Sequence, residues 1–398
     1  MKQILITVIV LYLAFPGFAQ TGYTVNDSTS IGDTAKLLLK DTAGIQKKPD
    51  KKARRISPTG DLRAIDGLFL GLGFRIQGQK SIDSAYQKVT AIKGLRTKAL
   101  IFEYRAEWLS VLKNTDITLG GLADIKGNIL NFFGRGNNTL FDQSGDFRVF
   151  YRVNFSFYQL EPAFRVRLPG NSSISFGPAL QHFVFNPGDN PGRYINSPAI
   201  INQYEHLQET KTHGGLILNL NRDTRDNLRS PTKGHYFNLR VHGYRGLNNK
   251  SSDYTQAFPQ FSFYKSLDKT GNIVLANRIG AGFTLGKTAF YQSAFLGSQE
   301  NLLGYRKFRF AGDNLLYNNL EARITFPRFL RSILRGKTGI IGFYDVGRVW
   351  IKEEESDAIH HGYGAAIFLT PFNRFFVRVD AGFSKEGLQP TVALRQRF

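Results

Sequence analysis

The sequence contains no cysteine. Disulfides, thiolate metal sites and a lipidated N-terminal cysteine are all excluded. Long apolar runs are missing too. Beyond the first 20 residues nothing approaches the roughly 18 consecutive apolar residues of a membrane helix, so helical spans are not expected there. Catalytic signatures are equally absent. There is no Gly-x-Ser-x-Gly elbow, no His-Glu-x-x-His and no P-loop. The seven His are scattered, with one adjacent pair, His360-His361. Adjacent residues on a strand point to opposite faces, so that pair is a poor metal site. Neither an enzyme nor a cofactor is expected. Acidic residues are also few, 31 against 52 Lys and Arg, for a net charge of +21.

What remains is rich in Phe (34), Tyr (17) and Gly (40). Lys2, the apolar stretch Ile4 to Leu13 and the small residues Gly17 and Ala19 read as a secretory signal peptide over residues 1–19, cleaved before Gln20. An exported chain does not meet nucleic acid. Its basic balance fits anionic lipopolysaccharide outside or an Arg-lined interior. Residues 20–61 are Thr-, Asp- and Lys-rich without periodicity, which predicts a flexible periplasmic extension. Its basic run extends from Lys47-Lys48 through Lys51-Lys52 to Arg54-Arg55.

From residue 62 to Phe398 short segments alternate apolar and polar residues between Gly-, Asn-, Asp- and Pro-rich turns. Leu68, Leu70, Leu72, Phe74 and Ile76 share one face. Leu316, Leu320, Ala322, Ile324 and Phe326 oppose Tyr317, Asn319, Glu321, Arg323 and Thr325. Val149 to Phe157 alternates in the same way, as does Phe375 to Phe383. A last strand is expected over Thr391–Phe398, with Val392, Leu394 and Phe398 on one face and Arg395 and Arg397 on the other. Alternation alone fits any half-buried strand. Export, long strands and the aromatic last residue favour an all-β transmembrane antiparallel barrel of roughly 14 to 16 strands over a soluble sandwich. In hydrocarbon an open edge would leave backbone groups unpaired, so the strands should close.

Several stretches occur in a telling order. These are Asn131-Phe132-Phe133-Gly134-Arg135-Gly136-Asn137, Arg222-Asp223-Thr224-Arg225-Asp226 with Pro231-Thr232-Lys233-Gly234, and Asn301-Leu302-Leu303-Gly304-Tyr305-Arg306. Asn319-Leu320-Glu321-Ala322-Arg323 and Phe343-Tyr344-Asp345-Val346-Gly347 follow. Together with Phe398 they resemble the barrel of the BamA/TamA bacterial surface-antigen superfamily, and especially barrels fused to calcineurin-like metallophosphatases. The resemblance implies about sixteen strands and an extracellular loop after the eleventh that folds into the interior. It also implies an Arg-Gly-aromatic tip on that loop, whose Arg pairs with an Asp of the inner wall. Here Gly304 and Tyr305 take the Gly and aromatic places, Asp345 the wall place, and Glu321 an acidic place on the preceding strand. Leu303 stands where the Arg belongs. Arg306 or Arg309 is then expected to pair with Asp345, or else Arg323 on the wall. Phe343 and Gly347 frame this site. Periplasmic POTRA domains, common before such barrels, do not fit into residues 20–61.

The resemblance implies outer-membrane protein insertion or translocation in a Gram-negative envelope, with the N terminus periplasmic. The partners expected are outer-membrane lipid, lipopolysaccharide and a client barrel or periplasmic partner protein. Insertion would work through a seam between residues 67–77 and 391–398. A membrane anchor or exporter for a separately encoded partner is the first rival. A passive anion-favouring pore is the second.

Overall fold

A computed structural model describes residues 53–63, 67–77, 85–95, 99–204, 206–326, 336–373 and 376–398. The leader 1–19 and the extension up to residue 52 lie outside the described residues.

Sixteen antiparallel strands form one sheet in chain order. The first six are β1 (Ala53–Arg63), β2 (Gly67–Gln77), β3 (Ala85–Gly94), β4 (Leu100–Leu112), β5 (Thr115–Asn131) and β6 (Arg152–Leu168). Then come β7 (Ser172–Val184), β8 (Lys211–Asp223), β9 (Gly234–Gly246), β10 (Tyr254–Ser266) and β11 (Ile273–Gly286). After β11 the chain leaves the sheet over residues 287–313 and forms a small separate pair, β12 (Ala294–Leu296) with β13 (Phe310–Gly312). It re-enters as β14 (Asn314–Phe326), β15 (Thr338–Trp350), β16 (His360–Leu369), β17 (Val377–Ser384) and β18 (Gly387–Ala393). Since β11 pairs directly with β14, the excursion adds no strand to the sheet.

The sheet reverses the polarity of a soluble protein. Leu72, Leu216 and Ile367 are each at least 60% exposed on its outer face. Glu321, Asp345 and Arg378 are at most 1% exposed on its inner face. An outward apolar band with charges turned inward is the arrangement a lipid environment selects. The sheet is strongly curved. Glu161 on β6 holds Arg240 on β9 at 2.5 Å across two intervening strands, on the face where the charges converge.

Three expectations are corrected. The sheet begins at Ala53 rather than residue 62, because Ala53–Arg63 pairs along its full length with Gly67–Gln77. Residues 67–77 are thus an internal strand, bonded to β1 and β3. The last strand stops at Ala393, and Leu394–Phe398 leaves the sheet for the interior. Finally, Phe147–Phe150 is a helical turn, and Val153, Phe155 and Phe157 face inward. Their alternation is genuine, but their apolar face meets a protein core. Phe155, Phe157 and Phe183 pack there on Phe290 and Tyr291 of the excursion, with Phe183 and Tyr291 stacked at 4.0 Å.

The three longest connections among the described residues, 132–151, 185–210 and 287–313, lie at one end of the sheet together with 351–359. The motif Phe132 to Asn137 joins them. Arg135 pairs with Asp313, the Gly136 N–H donates to the Ala311 carbonyl at 2.8 Å, and the Asn137 amide donates to the Ala358 carbonyl at 2.7 Å. Its aromatic and polar residues knit the connections into one cap.

Candidate functional site

Residues 298–306 descend from the cap onto the inner face of β14 to β17. Their seat is lined with glycine. A side chain on Gly362 would stand 1.8 Å from the Leu303 carbonyl oxygen, and one on Gly382 2.6 Å from the Gly304 nitrogen. Gly304 itself has φ +89°, a left-handed conformation that other residues avoid. The loop backbone therefore lies directly on the wall. The Ser384 hydroxyl donates to the Gly304 carbonyl at 2.7 Å. Tyr305 is buried against Phe310 and His360. The Gly347 position is crossed by Leu296, and Phe343 is buried on the same inner face of β15.

Asp345 is the meeting point. One carboxylate oxygen accepts the Leu303 N–H at 2.7 Å, and the other accepts the Asn319 amide at 2.9 Å. The loop thus replaces the missing guanidinium with a backbone donor. The cation at this carboxylate is Arg397, whose Nη2 lies 2.7 Å from Oδ2 and whose Nη1 donates to Oδ1 at 2.9 Å.

The expectation for Arg306 and Arg309 is thereby corrected. Arg306 lies over the rings of Phe141 and Phe147. Arg309 pairs with Glu386 at 2.5 Å and donates to the Thr139 hydroxyl and carbonyl at 2.6 and 2.7 Å. Both point into the cap, where aromatic faces receive Arg306 and aromatic faces and acceptors receive Arg309. Arg323 does not reach Asp345 as its cation either; it pairs with Glu321 at 2.9 Å.

Glu321 organises a second cluster beside the first. Besides Arg323 it accepts Arg378 Nη1 at 2.7 Å and the Gln396 amide at 3.1 Å. Arg378 in turn pairs with Asp380 at 2.5 Å. A buried carboxylate needs such donors, since its desolvation costs several kcal/mol. Of the strand-signal residues, Val392 faces outward and Leu394 lies beyond the end of β18. Phe398 is buried inside against Tyr264, with the guanidinium of Arg278 4.7 Å and that of Arg323 5.3 Å from its ring.

Of the expected residues, the structure places Asp345, Glu321, Gly304 and Tyr305 beside one another, and it adds Arg397, Gln396, Asn319 and the glycine seat, which the sequence reading did not include. Arg397 carried a usable signal, lying on the inward face of the alternating pattern. Among the described residues no group of three His, Asp or Glu side chains is placed to hold a metal ion.

The Omp85 superfamily domain matches residues 132–375. Among solved structures, BamA from Haemophilus ducreyi lacking POTRA domains 1–3 is similar over 86% of this chain and 70% of its own, with a TM-score of 0.61 and 12% identity. CdiB from Escherichia coli is similar over 90% of this chain and 69% of its own, with a TM-score of 0.51 and 12% identity. At such identity the likeness is one of fold. No protein of curated function matches by sequence. The domain match covers more than half the chain, its cap and infolded loop included, and the chain belongs to the Omp85 superfamily of outer-membrane transport and insertion proteins.

Proposed function

We propose that the sixteen strands close into a ring across the outer membrane, N terminus periplasmic, and that the ring is a gated exporter or anchor for a separately supplied partner protein. The observation that carries this is the seating of residues 298–306 on Asp345 beneath an aromatic core. A passive anion pore needs an open interior, and this filling argues against it. The finer resemblance to barrels fused to metallophosphatases supports the anchor side. Contact with lipid and lipopolysaccharide follows from the outward apolar band and the basic balance.

Insertion of other barrels is the second reading. It is favoured by the shortness of β18, seven residues long, which leaves backbone groups for a client strand to pair with. Its working edges would then be Ala53–Arg63 and Gly387–Ala393, since residues 67–77 are paired on both sides.

Site-specific photo-crosslinking in living cells separates the two. The probe is placed at inner-face position Lys88 on β3 and at outer-edge position Leu388 on β18. One protein captured from Lys88 supports export or anchoring. Several barrel proteins captured from Leu388, with nothing at Lys88, would replace that reading with insertion.

A further inference from the structure

The alternation of Val392 to Phe398 would carry β18 on as a strand, yet the structure ends it at Ala393 and turns the remainder inward. Inside, Gln396, Arg397 and the Phe398 carbonyl bond to the loop seat and its wall. Arg397 grips Asp345, the same carboxylate that accepts the loop's Leu303 N–H. Its Nε also donates to the Gln299 carbonyl of the loop at 2.8 Å. Gln396 donates to Glu321. Phe398 rests on Arg278, whose guanidinium donates to Asn319 Oδ1 at 2.7 and 2.9 Å and also to the Glu300 carbonyl of the loop. Asn319 closes the circuit by donating to Asp345 and to the Asn301 carbonyl at 2.7 Å.

We propose that Leu394–Phe398 is an interlock for the infolded loop, so that release of the segment and unseating of residues 298–306 are one event. The reason is electrostatic and geometric. If the segment leaves, Asp345 stays buried without its cation and the Gln299 carbonyl loses its donor. If the loop leaves, Arg397 and Arg278 each lose a backbone acceptor. Each departure weakens what holds the other, and such coupling is reciprocal. The sequence supplies the released state as well. Extended, the segment would place Leu394 with Val392 on the outer face, continuing the strand pattern. A partner that pairs with β18 and draws the segment into register would thereby free the loop. This device is indifferent to whether the barrel exports, anchors or inserts.

The absence of cysteine makes a thiol reporter clean. Leu302→Cys, buried in the loop, is introduced into the full chain and its maleimide labelling rate is followed in detergent. Arg397→Gln, Asp345→Asn, the pair together, and Phe398→Ala are compared with the parent. Electrophoretic heat-modifiability confirms that each barrel is folded. We expect roughly tenfold faster labelling with either charge variant and no further gain in the double, the non-additivity of one shared contact. Phe398→Ala, which touches neither Asp345 nor the loop, should also accelerate labelling. Unchanged labelling in Phe398→Ala alongside a fast Arg397→Gln would reduce Arg397 to a counter-ion and overturn the interlock. Effects of Arg397→Gln and Asp345→Asn that multiply would overturn it as well.

Discussion

Arg378 on β17 reaches Glu321 on β14 at 2.7 Å, across the two strands that lie between them. Both are buried, and Arg323, Gln396 and Asp380 complete the network. The contact ties the curved wall to itself under the loop. Glu321→Ala leaves two guanidinium groups short of their carboxylate, and removing one partner of a buried pair costs about 3–5 kcal/mol. Replacing both partners with apolar residues, Glu321→Leu with Arg378→Met, removes the desolvation cost along with the attraction. The double variant should resist urea better than Glu321→Ala. Equal urea midpoints for the two would show that the pair is not what holds β14 to β17.

The loop seat should tolerate no side chain at residue 362. Gly362→Ala sets a methyl against the Leu303 carbonyl oxygen. The wall is backbone there and cannot turn aside, so the loop must rise, at the cost of about 1–3 kcal/mol typical of overpacking. Trypsin supplies the readout, because Arg306 and Lys307 are cleavable only when the loop lifts; Lys307 is otherwise paired with Glu300 at 3.1 Å. Cleavage at this pair should be faster in Gly362→Ala. Gly342→Ala, where nothing lies within 4 Å of the added carbon, should match the parent.

The sequence shows the strands well because each apolar residue on an outer face, such as Leu72, Ile367 or Val379, has neighbours one residue away that must face the other side. It misleads at Val153 to Phe157, where apolar residues point inward. Periodicity reports that two faces differ, not which one meets lipid. Only the infolded aromatic residues Phe290 and Tyr291 reverse the choice. Ala53–Arg63 was hidden by its Arg54-Arg55, Pro58 and Asp61, which break any apolar face; it is a strand because β2 offers it a full register. Asp345 was legible through its Phe-Tyr-Asp-Val-Gly setting. Its partner was not, since 52 residues separate it from Arg397 and no local pattern encodes so distant a contact.

Arg309 fastens the cap to the β17–β18 turn. Its guanidinium spans Glu386 and both oxygens of Thr139 while lying over Phe133 and Phe310. Lysine carries the charge but cannot fork to three acceptors or stack as a plane. Arg309→Lys should therefore lose about 1.5–3 kcal/mol, the range of charge-assisted hydrogen bonds. Glu386→Gln, which keeps an acceptor for Nε, should lose less. Chemical denaturation of the two variants checks the order. A larger loss for Glu386→Gln would mean that the charge, not the fork, holds the cap.

Acid should loosen the turn between β8 and β9 at a point set by Asp226. Burial pushes this carboxyl up, but the Thr232 hydroxyl and the Thr232 and Lys233 N–H groups together outweigh it and hold the carboxyl below its ordinary value of 3.8. A depressed folded-state value means that the stabilisation is fully present above 3.8 and is lost as pH falls through the lower, folded value. The side chain is exposed, so solvent screens the effect and its size is small. Hydrogen exchange at the Thr232 and Lys233 amides, corrected for intrinsic rates, reads it locally. Protection in the parent should stay level down to 3.8 and fall below it. Asp226→Asn cannot titrate, so its protection should be lower at neutral pH and flat across the same range. An Asp226→Asn profile that falls with acid as the parent's does would assign the pH response to another group in the turn.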